Sequence, residues 1–262
     1  GELDSFLIEI TANILRFRDE DGKPLLDKIL DVAGQKGTGK WSAIAAMDEN
    51  DPLTLITEAV YARLLSALYP ERIKAASLYS GKLKVESGKL SDNAQLSIED
   101  VRQALYAAKL ISYAQGFSLL RHASEHYGWD LDYGTIARIW RKGCIIRSVF
   151  LQKITEAYRK DPDLENLLFD DFFHTKIQEA LPAWRRVVAE GALSGVALPA
   201  MSSALNYFDG LRTLYSAANM IQAQRDYFGA HTYERTDRER GHFFHTNWTG
   251  EGGNTVSGTY SV

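Results

Sequence analysis

The sequence is poor in cysteine and proline. Among its 262 residues it has one cysteine, Cys144, and six prolines. One cysteine forms no intrachain disulfide and cannot by itself assemble a structural zinc site, so nothing indicates an oxidising compartment. We therefore expect a cytoplasmic location. Few prolines, together with hardly any alternating apolar runs, favour helices over strands.

The chain also lacks a large excess of charge of one sign. It has 30 Lys and Arg residues against 34 Asp and Glu residues, which gives a net charge of -4. No global basic field attracts nucleic acid or an anionic membrane, so we expect neither as a partner. Any anion-binding site must therefore be local.

Long hydrophobic runs are missing as well. The longest uncharged run, residues 191–208, has the length of a membrane span, but Pro199, Asn206, two glycines and three serines make it a poor spanning helix. The first four residues include neither an initiator methionine nor a signal-peptide pattern, and helical periodicity begins at once. We expect the chain to be part of a longer protein.

Apolar residues recur at three- and four-residue spacing along most of the chain, which predicts an all-α fold. The main helices are expected over residues 3–17, 52–68, 98–127, 145–158, 164–190 and 198–227. A short helix is expected over residues 25–32, with Gly34 as its left-handed C-cap, and the next helix is expected to begin near Trp41. Residues 79–95, rich in lysine, glycine and serine, predict an exposed loop or insertion.

The composition changes after residue 229. Histidine, threonine, glycine, asparagine and aromatic residues replace the helical pattern, and such a segment cannot bury a core of its own. We therefore expect an all-helical domain over residues 1–229, followed by an extended tail over residues 230–262. The tail either lies on another surface, such as a partner subunit, or stays mobile.

The segment GQKGTGK at residues 34–40, which we call the glycine loop, has the most unusual local composition, with three glycines and two lysines. Its spacing approaches that of a nucleotide-binding P-loop, but Trp41 stands where a magnesium-binding Ser or Thr is required, and the preceding residues do not predict a strand. Glycines let backbone N–H groups approach a ligand, and a helix start and lysines add positive charge. The segment predicts an anion site, and the alternative is a solvated turn.

Two other motifs suggest chemistry without supplying a whole site. His122, Glu125 and His126 form H-x-x-E-H, the zinc-binding arrangement of the inverzincins. No third ligand is evident, so we interpret the motif as a polar helix face and expect no metal. Cys144 is expected to be a small helix-packing residue rather than a nucleophile.

Two arginines raise the question of a bound anion. Arg63 lies within the apolar run from Leu55 to Leu68, so its guanidinium is expected to be partly buried and to need an anionic partner. Arg147 presents the same question. Periodicity alone does not decide whether the partner of each arginine is an internal Asp or Glu or a bound substrate.

Five stretches resemble the decarboxylating 6-phosphogluconate dehydrogenases, in the order in which that family has them. They are ILDVAGQKGTGKW at 29–41, ISYAQGF at 111–117, WRKGCIIRS at 140–148, QAQRDYFGAHTYE at 222–234 and HTNWTG at 245–250. The resemblance covers essentially the whole chain, and Ser42 in place of a frequent Thr is a small departure. It implies the family's helical domain and tail without the N-terminal Rossmann domain, which agrees with the absence of a Gly-x-Gly-x-x-Gly after a strand.

The resemblance also implies a reaction and its partners. The family oxidises 6-phosphogluconate with NADP and releases carbon dioxide to give ribulose 5-phosphate, in the pentose phosphate pathway and without a metal. It forms homodimers in which the tail of one subunit reaches the other. The family's catalytic lysine and glutamate precede the matched stretches. We therefore expect no catalytic residue in this chain and no activity of the chain alone, and we assign no cofactor-binding residues.

What the resemblance carries over by position is substrate binding. Lys36 and Thr38 match the family's phosphate-binding pair on the glycine loop, and Arg63 matches the arginine that meets the same phosphate. Arg225 and His231 match tail residues that enter the partner's active site, Arg225 toward the phosphate and His231 toward the sugar acid.

Two alternatives remain open from the sequence. The first is a non-catalytic helical dimerisation module with no ligand of its own. The second is the anion-binding domain of a related hydroxyacid dehydrogenase with a different substrate. The first predicts no effect of phosphate on stability, and competition between phosphorylated sugar acids tests the second.

Overall fold

The computed structural model describes residues 1–79 and 96–250. The chain divides into two compact units, Gly1–Phe208 and Asp209–Val262. The predicted insertion at residues 79–95 therefore lies outside the described residues, apart from Tyr79, and so does the end of the predicted tail. Within the described ranges, no helix is long and apolar enough to cross a lipid bilayer.

The all-α prediction is confirmed, because helices account for nearly all regular structure in residues 1–79 and 96–211. They are α1 (Phe6–Arg16), α2 (Thr38–Asp48), α3 (Thr54–Ala67), α4 (Tyr69–Tyr79), α5 (Ile98–Tyr127), α6 (Tyr133–Ile139), α7 (Leu151–Lys160), α8 (Asp171–Leu193) and α9 (Pro199–Leu211). Short 3-10 turns occupy Leu25–Lys28 and Leu167–Phe169.

The long helix α5 has the bounds that the sequence predicts, and its ends explain why. The Ser97 hydroxyl accepts a hydrogen bond from the amide of Asp100, and the Asp100 carboxylate accepts one from the amide of Ser97. The two residues thus form a capping box. The helix ends at Gly128, whose φ of 66° is the left-handed conformation that favours glycine.

The core lies between α5 and α8 and continues onto α7. Its largest fully buried side chains are Leu110, Ile111 and Phe117 of α5, Leu151 and Ile154 of α7, and Phe173, Ile177 and Trp184 of α8. Small residues let the helices approach, since Ala104, Ala107 and Ala114 of α5 are also buried. Burial of this apolar surface is the main stabilising contribution to the unit.

A buried glutamine joins α3 to this core. The residue before α3, Leu53, provides no side-chain cap. Gln115 of α5 is fully buried and supplies what is missing: its Oε1 accepts the amide of Leu55 at 3.0 Å, and its Nε2 donates to Thr54 Oγ1 at 2.8 Å. The first turn of α3 therefore has a partner for an amide that helix geometry leaves unpaired.

Three local predictions near the glycine loop differ from the structure. The helix expected over residues 25–32 is limited to the 3-10 turn Leu25–Lys28, because the following backbone bonds to side chains of other helices instead of to itself. The left-handed residue is Gly37, with φ of 108°, and not Gly34. The next helix begins at Thr38, three residues before the expected Trp41.

The helix expected from residue 145 begins only at Leu151. The backbone before it bonds outside its own segment: Tyr113 of α5 donates to the Ile146 carbonyl at 2.7 Å, and Phe6 donates to the Arg147 carbonyl at 3.3 Å. Carbonyls engaged in this way are not available to a helix. The single helix expected over residues 198–227 is likewise divided: α9 ends at Leu211, and a further helix begins at Ala218.

The second unit contains α10 (Ala218–Gly229) and a small antiparallel pair, β1 (Tyr233–Glu234) and β2 (Phe243–Phe244), with Tyr233 opposite Phe244. The helix α10 contacts β1 and is grouped with the tail, so this division lies earlier than residue 229. The functional boundary between residues 229 and 230 stays a prediction.

Replacing Gln115 by methionine tests its role as the anchor of α3. Gln115→Met keeps the side-chain length but leaves the Leu55 amide and the Thr54 hydroxyl without their partner. We expect the free energy of unfolding in urea to fall by about 1 to 3 kcal/mol. The control is Gln178→Met on the exposed side of α8, with an expected change within about 0.5 kcal/mol. Equal losses in both variants would contradict this role.

Candidate functional site

The glycine loop is held on the surface of α3 and α4 by side chains of those helices. The amide of Ala33 donates to Ser66 Oγ at 2.9 Å, and the Ser66 hydroxyl donates to the Arg63 carbonyl at 2.7 Å. Arg72 of α4 forms an ion pair with Asp31 and donates to the carbonyl of Ser66 at 3.1 Å. The backbone that leads into the loop therefore has a defined position.

The ion pair of Arg72 and Asp31 has an electrostatic signature. The hydrogen bond from the Arg72 guanidinium lowers the pKa of Asp31, and the same bond raises the pKa of Arg72. Both groups thus stay charged near neutral pH. Because the charges of Asp31 and Arg72 cancel, this ion pair adds no net charge beside the loop.

Gly37 forms the corner at which the loop becomes α2. Its φ of 108° is unfavourable for other residues, and its carbonyl accepts the first helical bond, from the amide of Trp41 at 2.8 Å. A Cβ on Gly37 would also lie 3.3 Å from Trp41 Cε2. The backbone conformation therefore favours glycine here, and a Cβ would in addition require the neighbouring indole to shift slightly.

A second glycine sets the distance between α2 and α3. A Cβ on Gly39 would lie only 2.7 Å from Cγ2 of Val60. The close approach brings the first turn of α2 against the helix that carries Arg63. The amides of Thr38, Gly39 and Lys40, which belong to that turn, have no intrahelical acceptor and carry the partial positive charge of a helix start.

Arg63 lies at the edge of the loop, and its guanidinium donates to the Gly34 carbonyl. The expectation that Arg63 is partly buried is wrong, because it lies on the exposed face of α3. Its partner is a backbone carbonyl and not an internal carboxylate. A guanidinium has five N–H donors, so a bond to one carbonyl leaves others for a ligand.

Lys36 and Thr38 flank the Gly37 corner, and both are exposed to solvent. The segment thus combines an ammonium group, a hydroxyl, the amides of a helix start and the Arg63 guanidinium held at Gly34. Such donors are those that bind phosphate or carboxylate groups in proteins. The structure brings the loop and Arg63 together as one local, positively charged surface.

Arg225 and His231 belong to the second unit. Arg225 lies on α10, and its Nη1 donates to Oε1 of Gln222 at 3.0 Å. His231 follows the end of α10, and its amide donates to the Arg225 carbonyl at 3.5 Å. The end of one helix therefore positions both residues of the predicted tail pair.

The H-x-x-E-H motif forms pairs with acidic side chains of the connection between α2 and α3. His122 Nδ1 lies 2.8 Å from Asp51 Oδ2, and His126 Nδ1 lies 2.8 Å from Glu49 Oε2. Glu125 pairs with Arg121 on its own helix. Within residues 1–79 and 96–250, no group of three or more His, Cys, Asp or Glu side chains is placed to hold a metal ion.

The two remaining candidates from the sequence are Arg147 and Cys144. Arg147 pairs with Glu9 of α1 at 2.7 Å and lies over the ring of Phe6, so an internal acid is its partner in this structure. Cys144 is partly buried in the turns between α6 and α7.

Sequence reasoning missed Ser66 and Arg72, although they hold the loop. Ser66 lies three residues after Arg63, so both point from the same face of α3. Arg72 belongs to α4, which is not among the helices expected from the sequence. The signal was present in the helical spacing of residues 69–79, but its partners lie some 40 residues away: Arg72 and Asp31 are separated by 41 positions.

Comparison with known proteins identifies the family of the chain. The family model described as 6-phosphogluconate dehydrogenase, C-terminal domain, matches residues 1–248. The chain belongs to this family. Among curated relatives, it is 56% identical to the decarboxylating 6-phosphogluconate dehydrogenase of Rattus norvegicus over 261 residues and 55% identical to that of Homo sapiens. Each of these alignments covers 100% of this chain and 53% of the relative.

The fold of the chain is also similar to that of a solved structure. The chain is similar to Plasmodium falciparum 6-phosphogluconate dehydrogenase, with a TM-score of 0.87 and 42% sequence identity, over 95% of this chain and 52% of that one. That protein is described in its apo form, with its cofactor NADP+ and with its substrate 6-phosphogluconate. The chain thus spans about half the length of the relatives it matches.

Two glycine substitutions test the loop geometry. Gly37→Ala forces a Cβ into a positive-φ position against Trp41, and we expect the free energy of unfolding to fall by about 1 to 3 kcal/mol. Gly34→Ala is the matched control, because its φ is not positive and no atom lies within 4 Å of the added Cβ. Urea unfolding followed by circular dichroism measures both. An unchanged midpoint in Gly37→Ala would refute the required glycine corner.

Proposed function

We propose that this chain is the substrate-binding and dimerisation part of an NADP-dependent, decarboxylating 6-phosphogluconate dehydrogenase. The whole enzyme converts 6-phosphogluconate to ribulose 5-phosphate in the pentose phosphate pathway, and we place it in the cytoplasm. The helical part, residues 1–229, binds substrate and forms the dimer. The tail, residues 230–262, reaches the partner subunit.

One structural observation carries the proposal. The glycine loop of a chain in this family is held against α3 so that Arg63 bonds to Gly34 and the start of α2 follows directly. A phosphate dianion needs several charge-assisted hydrogen bonds when it leaves water, and this surface carries the donors for them. The net charge of -4 makes a local positive surface the feature that attracts a phosphorylated acid.

Lys36, Thr38 and Arg63 bind the phosphate in this proposal. The Lys36 ammonium and the Arg63 guanidinium supply charge, and the Thr38 hydroxyl with the first amides of α2 supplies directed hydrogen bonds. Arg72 holds the loop but does not bind the phosphate in this proposal, because its guanidinium is paired with Asp31.

Arg225 and His231 complete the site of the partner subunit. Arg225 adds a third cation to the phosphate, and His231 meets the sugar acid. The tail is exchanged between subunits of a homodimer, so that each site takes residues from two chains. Dimerisation is then a condition of activity, because neither chain alone has the full set of ligands.

The described residues form no dinucleotide-binding fold. Their only strands are β1 and β2, each of two residues, and no helix start follows a strand in the manner of a dinucleotide-binding fold. We therefore assign NADP, which supplies the hydride acceptor when bound, mainly to the N-terminal part of the whole enzyme. The catalytic lysine and glutamate are assigned there too, so this chain alone is inactive.

Calorimetric titration with 6-phosphogluconate tests the phosphate site. We expect Arg63→Ala to bind at least about tenfold more weakly, which corresponds to about 1.4 kcal/mol, because the phosphate loses a charged donor. We expect Lys36→Ala to weaken the binding of both 6-phosphogluconate and inorganic phosphate, because Lys36 contacts the group that the two ligands share. The matched controls are Arg16→Ala on α1 and Lys74→Ala on α4, two exposed cations outside the loop, which should bind as the wild type does.

The same titration separates the alternatives. Unchanged affinity in Arg63→Ala refutes its assignment to the phosphate. Wild-type binding no tighter than that of inorganic phosphate contradicts the proposed substrate site and favours the non-catalytic dimerisation module. Tighter binding of another phosphorylated sugar acid than of 6-phosphogluconate favours a related hydroxyacid dehydrogenase.

A further inference from the structure

A buried carboxylate organises the second unit. Asp226 of α10 has no exposed surface, and its two oxygens contact three donors. Oδ1 lies 2.9 Å from Nδ1 of His245, while Oδ2 accepts the amide of Thr246 and the indole N–H of Trp248, both at 2.9 Å. The carboxylate therefore bonds α10 to the returning segment 245–248.

These bonds offset the cost of burying a charge. Burial by itself raises the pKa of Asp226, but the bonds from Thr246, His245 and Trp248 outweigh it, so the pKa lies below its usual value. Asp226 is consequently ionised at neutral pH. An ionised carboxylate with three donors holds the return segment more firmly than a neutral contact would.

Asp226 is adjacent in sequence to Arg225, and its backbone continues to His231. The Asp226 carbonyl accepts the amide of Ala230 at 2.9 Å, and the Arg225 carbonyl accepts that of His231. These bonds close the end of α10. The backbone bonds that close α10 therefore lie directly beside the Asp226 carboxylate that holds the return segment.

The glycine at the end of α10 stands in an unusual place. Helices that end in the left-handed conformation commonly have glycine at that position. Here the left-handed residue is Ala230, with φ of 50°, and the glycine precedes it at 229 with a φ that is not positive. The backbone conformation of residue 229 therefore does not require glycine, whereas Ala230 adopts a conformation that residues other than glycine rarely take.

The space beside Gly229 explains the glycine. A Cβ at this position would lie 2.7 Å from both Cδ2 and Nε2 of His231. The imidazole ring thus lies directly against the Gly229 backbone, where a side chain would stand in any other residue. The ring of Phe228 approaches the imidazole edge-on, with 6.1 Å between ring centroids.

We propose that Gly229 and Asp226 are positioning residues for the substrate-binding pair Arg225 and His231. Gly229 leaves room for the imidazole, and Asp226 holds α10 and the return segment in register. This inference rests on the proposed function for the identity of the ligand. The placement of the ring against Gly229 is independent of it.

The test compares two glycine substitutions in the complete dimeric dehydrogenase that contains this chain. Gly229→Ala adds a methyl group against the His231 ring. Gly210→Ala is the matched control, because Gly210 also lies near the end of a helix, α9, and nothing lies within 4 Å of the added Cβ. Alanine is favoured over glycine in helices, so both variants should melt at or above the wild-type temperature.

We expect Gly229→Ala to raise the KM for 6-phosphogluconate by about tenfold or more, with kcat within about threefold, because the change removes binding by His231 without touching the reacting groups. Crystal structures should show the His231 ring displaced in Gly229→Ala and unmoved in Gly210→Ala. Equal KM values in Gly229→Ala and the wild type, or an unmoved ring in Gly229→Ala, would overturn the proposal for Gly229.

Asp226→Asn tests the anchor separately. Asparagine offers one acceptor oxygen in place of two, so the donors of the return segment cannot all be satisfied. We expect a higher KM in Asp226→Asn with the His231 ring displaced, and an unchanged KM would overturn the role of Asp226. If the wild-type enzyme fails to act on 6-phosphogluconate, the proposed function is wrong, while the ring position in Gly229→Ala still decides the placement of His231.

Discussion

The position of α3 is the constraint on which the glycine loop depends. Gln115 of α5 fixes the first turn of α3 against the core through two hydrogen bonds. The same helix carries Arg63 and Ser66, which bond to the backbone of residues 33 and 34, and α4 adds Arg72. A loop with three glycines has a high conformational entropy when free, and these bonds offset part of the cost of ordering it.

The two units hold irregular backbone in place by different contacts. In the first, side chains of neighbouring helices hold a loop that has almost no apolar surface of its own. In the second, one buried carboxylate, Asp226, bonds a helix to a returning segment through three donors. In the proposed enzyme each unit would thus present preformed ligand groups, which lowers the entropy lost when substrate binds.

The sequence predicted the elements whose ends carry local signals, and it was less accurate where distant residues decide. Ser97 and Gly128 mark the ends of α5, and α5 has the predicted bounds. Residues 29–33 and 145–149 have helical apolar spacing but bond to side chains and backbone far along the chain, which periodicity does not reveal. The candidate loop was identified from composition, whereas the exposure of Arg63 and the clamp by Arg72 required the tertiary structure.

Amide chemical shifts of the chain, measured by NMR during titration, test the central claim that α3 and the glycine loop form a phosphate site. The site predicts that 6-phosphogluconate and inorganic phosphate shift the amides of Thr38, Gly39 and Lys40, because these donors begin α2. Gluconate, which has the same carbon chain without the phosphate, should leave them unchanged. Equal shifts with gluconate, or no shift of these amides with 6-phosphogluconate, would contradict the account.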